Sequence, residues 1–179
     1  MSVPGGSWDV SAGPLTPGGK SQGIRHEGSD QLVYAMEDLK RGAALGLRGA
    51  LVADEGLLLL TKEMKKCGQL PEDFVVKVSV QMGSANPVSV KLMEDIGADT
   101  YNVPPALTLS KLAAIRQSID IPIDLYVEVP DTFGGFLRYY EIPENYPCFG
   151  SCIYQIRSSQ SPGCIPIRET MGKYEHLTH

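Results

Sequence analysis

Short apolar segments alternate with amphipathic helical segments along this chain, and that alternation limits the folds open to it. The apolar segments start about 25 residues apart, the length of a strand followed by a crossover helix. The predicted strands cover residues 49–54, 74–81, 100–103 and 121–129. A helix from Ser29 precedes them, and helices over residues 57–67, 87–97 and 109–118 separate them. Strands that alternate with helices form a parallel sheet, so we predict an α/β protein with about four βα units.

Polar residues mark where the predicted helices begin. Ser29 is placed to cap the first helix, which ends near Gly42 or Gly46. Asn86 followed by Pro87 is a strong helix start, because proline suits the first helical position. Thr108 is the predicted cap of the last helix. The first helix is expected to bury an apolar face made by Leu32, Val33, Met36 and Leu39.

The alternation of side chains within two strands distinguishes a closed barrel from an open sheet. Apolar residues occupy one face of these strands: Val76, Val78 and Val80 in the second, and Ile123, Leu125, Val127 and Val129 in the fourth. Polar residues occupy the other face: Lys77, Ser79, Gln81, Asp124, Tyr126 and Glu128. An open sheet with helices on both sides has two apolar faces. The pattern therefore favours a (β/α)8 barrel of the TIM type, present in part, over a doubly wound sheet.

Composition excludes several classes of function. The chain has 179 residues and a formal net charge of −5, and no basic run is present that could neutralise a nucleic-acid backbone. Its apolar runs are too short for a membrane span. The N-terminus lacks a basic region followed by an apolar one, so we predict a cytoplasmic protein. No glycine-rich phosphate-binding motif follows a strand, which weakens a nucleotide-binding alternative.

We divide the chain into three parts. Residues 1–28 are rich in glycine and proline and are expected to be irregular, with Trp8 and Leu15 as the only large apolar anchors. Residues 29–144 hold the partial barrel. Residues 145–179 lack helical and strand periodicity over most of their length, and we predict an irregular tail. A whole barrel needs eight units, typically about 250 residues, so the barrel is predicted to be incomplete.

The region 31–144 resembles a bacterial family of barrel proteins related to the U32 peptidases. The resemblance is carried by QLVYAMEDLKRGAALGLRGALVADEGLL, KVSVQMGSANPVSVKLMEDIGADTYNVP, LTLSKLAAIRQSIDIPIDLYVEVPDTFGGF and LRYYEIPE. It covers about two-thirds of the chain and implies a barrel fold. It also implies a hydrolase of the peptidase type, because relatives include collagenase-like peptidases. Other relatives act in RNA or quinone hydroxylation, and several of those carry iron–sulfur clusters on cysteines.

The chain departs from that family pattern after residue 144. Family members continue with a strand similar to IRVxAPVYIKFGLRN and a PDxYPSG segment, whereas this chain reads NYPCFGSCIYQIRSSQSPGCIPIRETMGK. If one base is removed from the codon of Asn145, the following codons can encode a segment of the family type. We therefore hypothesise that one extra base near codon 145 shifts the reading frame. The fragment is then expected to be inactive as written.

The ends of the predicted strands supply the candidate site residues, because barrel enzymes place their catalytic groups there. Asp54 and Glu128 are the predicted acid/base residues, since carboxylates at strand ends can transfer protons. Lys77 is the third catalytic candidate, and the alternative is that it forms a structural ion pair with Asp124 or Glu128. The alternative for the carboxylates is that they cap helices or pair with basic residues. The predicted substrate-binding residues are Gln81, Asn102, Asp131 and Arg138.

The cysteines and histidines give no firm cofactor assignment. Cys67 is alone in a helix, and the other cysteines have the spacing Cys148-x3-Cys152-x11-Cys164, which matches no strong zinc pattern. We predict no metal site and leave the cofactor unknown. The histidines His26, His176 and His179 are expected to be solvated. Two alternatives to an enzyme fragment stay open: a non-catalytic truncated barrel that self-associates through its open edge, and a cysteine-ligated iron–sulfur protein.

Overall fold

A computed structural model describes residues 24–129, 134–141 and 152–155 of the chain. Its strands are β1 (Gly49–Val52), β2 (Val75–Val78), β3 (Thr100–Asn102), β4 (Ile123–Tyr126) and β5 (Cys152–Gln155). Its α-helices are α1 (Gly28–Ala44), α2 (Glu55–Lys66), α3 (Pro87–Asp95) and α4 (Leu109–Arg116). Two short 3-10 helices follow β2 and β4, at Val80–Met82 and Tyr139–Glu141. The predicted alternation of four strands with helices is confirmed.

The described strands form one parallel sheet in the order β1-β2-β3-β4-β5. Each strand lies beside the strand that follows it in the chain, so the order never reverses. The helices α2, α3 and α4 lie in the connections between the first four strands. Such connections are right-handed in nearly all proteins, and a repeated right-handed step in one direction places every crossover helix on the same face of the sheet.

The core lies between that helical layer and the apolar face of the sheet. Val52, Val78, Tyr101 and Ile123 are aligned across four strands by the pairing register and are almost fully buried. Helix residues complete the cluster, among them Leu58, Val90, Leu112 and Ile115. Burying one such aliphatic side chain contributes about 1.5–3 kcal/mol, so this layer is the main source of stability in the described fold.

The helix starts agree with the sequence for α3 and α4 and differ for α1 and for α2, which begins at Glu55 rather than at residue 57. Asn86 caps α3, because its side-chain oxygen accepts a hydrogen bond from the Ser89 N–H at 3.0 Å. Helix α4 begins after Thr108, as predicted, but the Thr108 side chain makes no capping hydrogen bond. The prediction that Ser29 caps the first helix is wrong: α1 begins one residue earlier, and Glu27 occupies the cap position. Its backbone N–H bonds to the Gln31 side chain instead.

The predicted apolar face of α1 is also partly wrong. Val33 is 52% exposed, whereas Ala35 is buried in the core and Leu32, Met36 and Leu39 pack against it. The helix contacts mainly α2, its successor in the helical layer. Ala35 is small enough to let α1 pack closely against α2. A prediction that looks for large apolar residues does not mark this position.

Strand β5 lies in the segment that the sequence predicted to be irregular. Residues 152–155 pair with β4 along its whole length, from Ile123 opposite Cys152 to Tyr126 opposite Gln155. Four residues are too few for a periodicity to be recognised, and a short strand gains its stability from the neighbouring strand rather than from local sequence. Trp8 and Leu15 lie outside the described residues. No helix within the described ranges is long and apolar enough to cross a membrane.

Candidate functional site

A cluster of polar side chains lies on the sheet face opposite the core. The pairing register places Lys77 of β2 beside Thr100 of β3, and Asn102 of β3 beside Asp124 of β4. Strand residues alternate between faces, so these four side chains share one face while their neighbours Val78, Tyr101 and Ile123 enter the core. We call these four residues the polar-face cluster.

The centre of the polar-face cluster is an ion pair. The Nζ of Lys77 lies 2.9 Å from Oδ1 of Asp124, and the two residues come from strands separated by β3. The hydroxyl of Thr100 donates a hydrogen bond to the other oxygen of the same carboxylate. Asp124 is fully buried, while a quarter of the Lys77 side chain is exposed. The pairing with Asp124 is one that the sequence predicted.

The same face becomes more accessible toward the carboxyl end of β4. Asp124 has no exposed surface, whereas Tyr126 and Glu128, two and four residues further, are partly exposed. Glu128 accepts a hydrogen bond of 3.4 Å from the hydroxyl of Tyr139. Glu128 therefore lies at the more accessible end of the face that carries the polar-face cluster.

Residues 136–138 run antiparallel to residues 127–129, just beyond the end of β4. The Val129 N–H bonds to the Phe136 carbonyl at 3.0 Å, and the Arg138 N–H bonds to the Val127 carbonyl at 2.8 Å. This antiparallel contact brings Tyr139 beside Glu128. It explains why residues 134–141 lie at the strand end although they are not part of the sheet.

Arg138 is engaged inside the protein. Its guanidinium pairs with Glu141, with Nε 2.6 Å from Oε2, and it donates to the Pro105 carbonyl at 2.7 Å. The residue is 5% exposed. These contacts hold residues 134–141 against the loop that follows β3. They favour a structural role over the predicted role in holding a substrate anion.

Asp54, the other predicted acid/base carboxylate, is the N-cap of α2. Its Oδ1 accepts from the Leu57 N–H at 2.8 Å, and its Oδ2 accepts from the His26 N–H at 3.1 Å. Both oxygens are therefore used by backbone donors, which is the capping alternative that the sequence offered. Nearby, the Arg25 guanidinium pairs with Glu55 at 3.1 Å and also bonds to the Ala53 carbonyl.

The prediction that His26 is solvated is wrong. Its side chain is only 10% exposed, with Nδ1 3.8 Å from Oδ2 of Asp54. Neither ring nitrogen has a hydrogen-bond partner among the described residues. The residue precedes α1 in a polar stretch, and its burial comes from the packing of that stretch on the end of β1. No local signal in the sequence marks this contact.

The other predicted binding residues are spread over the carboxyl ends of the strands. Gln81 is exposed in the 3-10 helix after β2, where its N–H bonds to the hydroxyl oxygen of Ser79. Asn102 is buried in the polar-face cluster. Asp131 lies outside the described residues. The structure thus brings Lys77 and Asn102 together, with Glu128 further along the same face, and leaves Asp54 near His26.

The pKa values of Glu94 and Tyr101, both on the helical side of the sheet, are shifted. Burial raises the pKa of Glu94, but hydrogen bonds from Lys91 and from the N–H groups of Asp120 and Ile121 outweigh it and lower the pKa below 4.5. The pKa of Tyr101 is raised, mainly by burial, although its hydroxyl bonds to the Ser84 carbonyl. Both contacts join neighbouring βα units and are structural.

The described ranges contain no group of three acidic, histidine or cysteine side chains that could hold a metal ion. Cys67 is an exposed free thiol at the end of α2. Cys148 and Cys164 lie outside the described residues, and for Cys152 only the backbone is described. The cysteine-ligated cluster therefore stays a prediction.

Comparisons with known proteins give one fold relationship. No protein-family profile matches the chain, and no curated protein matches it. Among solved structures, the U32 peptidase Mk0906 superposes with a TM-score of 0.51. The match has 19% sequence identity and covers 86% of this chain and 68% of that protein. At this identity the likeness concerns the fold alone, and it supports the U32-type fold that the sequence resemblance implied.

Proposed function

We propose that the described sheet is a sector of a (β/α) barrel of the U32-peptidase type and that the polar-face cluster lines its interior. Three observations support the barrel. The strand order is sequential without the reversal that defines a doubly wound sheet, and the face opposite the core is polar. The chain also shares its fold with a U32 peptidase. Sequential parallel strands with helices on one side are the repeating unit of such a barrel.

The proposed activity is hydrolysis of a peptide or small-molecule substrate in the cytoplasm, and the Lys77–Asp124 pair carries the proposal. Asp124 is fully buried, so it cannot touch a substrate and instead orients the ammonium group of Lys77. The exposed part of Lys77 can stabilise the oxyanion that forms when water attacks a carbonyl group. Glu128 lies toward the open end of the same face and is the proposed general base for that water.

Three further residues complete the proposed site. Gln81, exposed three residues after the end of β2, is the proposed contact to a substrate backbone, and Asn102, the almost fully buried last residue of β3, is the proposed positioning residue beside Asp124. Asp131 is retained as a binding residue by its position after β4. Asp54 is left out, because both of its oxygens bind backbone N–H groups. No cofactor is assigned.

The test compares two gene products in the hydrolysis of an internally quenched peptide library. One is the chain as it stands, and the other comes from a gene with one base of codon 145 removed. We expect activity from the second product. Glu128→Gln, introduced into that product, should lower its kcat roughly 100-fold or more. Glu72→Gln, at an exposed position, is the matched control. Equal activity of the Glu128→Gln and parent proteins would refute the assignment.

A second candidate is a non-catalytic chain that associates through its sheet edge. It is favoured by β1, which is terminal in the strand order and whose Leu51 is 44% exposed. A strand edge offers unpaired N–H and C=O groups to another chain. Size-exclusion chromatography with thermal unfolding separates the candidates: a cooperative monomer contradicts association, and a concentration-dependent oligomer supports it.

A further inference from the structure

Thr100 lies between the two partners of the ion pair in the polar-face cluster. The pairing register sets Thr100 of β3 beside Lys77 of β2, while Asp124 of β4 pairs with Asn102, two residues further along β3. The side chain of Lys77 therefore crosses β3 next to Thr100 to bring its Nζ within 2.9 Å of Oδ1 of Asp124. Long side chains make such diagonal contacts within a sheet.

The hydroxyl group of Thr100 is buried and has two acceptors within reach. The residue is 7% exposed, and Oγ1 lies close to Oδ2 of Asp124 and 3.2 Å from the Pro122 carbonyl oxygen. A hydroxyl has one proton and can donate only once. The Pro122 carbonyl already accepts from the Tyr101 N–H at 3.1 Å, and a hydrogen bond to a charged acceptor is roughly twice as strong as one to a neutral acceptor. The proton of Thr100 therefore belongs to Asp124.

Asp124 needs this donor, because the ion pair by itself does not fix the plane of its carboxylate. Nζ of Lys77 lies close to Oδ1 but off the direction of a hydrogen bond, and no other described residue donates to that oxygen. The torsion that rotates an aspartate carboxylate is broad, so attraction to Lys77 alone leaves the group free to turn. The bond from Thr100 to Oδ2 removes that freedom and so determines where Oδ1 holds the ammonium group.

We infer that Thr100 is a positioning residue of the proposed hydrolase: its hydroxyl orients the carboxylate of Asp124, which in turn holds the ammonium group of Lys77. Groups that stabilise an oxyanion are effective when they are held in place before the reaction, which is what the bond from Thr100 provides. The effect on catalysis rests on the proposed function. The effect on the Lys77 side chain does not, so the two can be tested separately.

The first test is spectroscopic and uses the full chain labelled with ¹³C-lysine. The ¹³Cε signal of Lys77 is identified by its absence from Lys77→Met. Thr100→Val keeps the shape of the side chain without its hydroxyl and should shift the Lys77 signal, whereas Thr100→Ser should return it toward the wild-type position.

Thr61→Val is the matched control, because Thr61 is also buried but donates to the Leu57 carbonyl within α2 at 2.7 Å. It should leave the Lys77 signal unshifted. If Thr100→Val does not fold, Thr100→Ala takes its place. A Lys77 signal that is the same with and without the hydroxyl at position 100 overturns the inference, whatever the activity of the chain.

The second test is kinetic and uses the gene product in which hydrolysis is expected. Thr100→Val should lower kcat about tenfold with little change in KM, the loss expected from one hydrogen bond that acts in the transition state. In the residual activity of Lys77→Met, the same substitution should have no further effect. Equal losses in both backgrounds would show a merely structural role and overturn the inference. A shifted Lys77 signal in a chain without any hydrolysis would instead refute the proposed function and leave the orientation of Lys77 by Thr100 confirmed.

Discussion

Removal of the charge on Lys77 is the sharpest test of the polar-face cluster as a structural unit. Lys77→Met keeps the length of the side chain and leaves the Asp124 carboxylate, which is fully buried, without a cation. Breaking a buried ion pair by removing one partner costs about 3–5 kcal/mol. Because a quarter of the Lys77 side chain is exposed, solvent weakens the pair, and we expect a loss of about 2–4 kcal/mol.

The measurement is urea unfolding followed by circular dichroism, with the slope m compared between variants to check that two-state behaviour persists. Replacing both partners, as Lys77→Met with Asp124→Leu, removes the uncompensated charge. This double variant should therefore recover stability relative to Lys77→Met alone. Lys111→Met, at an exposed position of α4, is the control and should change stability by less than about 0.5 kcal/mol.

Two outcomes would refute this reasoning. One is a Lys77→Met variant as stable as the Lys111→Met control, which would mean that water solvates Asp124. The other is strict additivity in the double variant, which would mean that the two side chains do not interact. Either outcome would also remove Asp124 as the residue that orients Lys77 in the proposed hydrolase.

Three more predictions concern contacts around the sheet. The pKa of Glu94 is lowered in the folded protein, so its ionised form stabilises the fold above about pH 4.5, and this contribution is lost as the pH falls through the folded-state pKa. Glu94→Gln should therefore make the free energy of unfolding depend less on pH between pH 7 and 3. Asn86→Ala should cost about 1 kcal/mol in urea unfolding, and Asn86→Ser much less, because serine can still cap α3. Arg138→Leu should lower the melting temperature by several degrees, about 2 kcal/mol, since it removes the guanidinium group that donates to the Pro105 carbonyl and pairs with Glu141. An unchanged melting temperature with a raised KM would instead support substrate binding by Arg138.

The Asn86 helix cap and the alternation of strand residues were predictable from the sequence, because both depend on residues that lie close together in the chain. The capping bond from Ser89 to Asn86 spans three residues, and the apolar residues of β4 alternate within one strand. The strand β5 was missed because its four residues show no recognisable periodicity, so that only its pairing with β4 reveals it. Asp54 shows an intermediate case: the sequence offered both a cap and an acid/base role, and only its two backbone contacts favour the cap.

The sequence by itself determined the α/β alternation, the polar face of the strands and the pairing of Lys77 with a carboxylate on another strand, because these follow from periodicity and from the cost of burying a charge. Tertiary structure alone decided that Asp124 is that carboxylate, since the choice depends on the register across β3. It also decided that His26 is buried. Burial of a side chain in a polar stretch depends on which distant surface packs over it, and that information is not local.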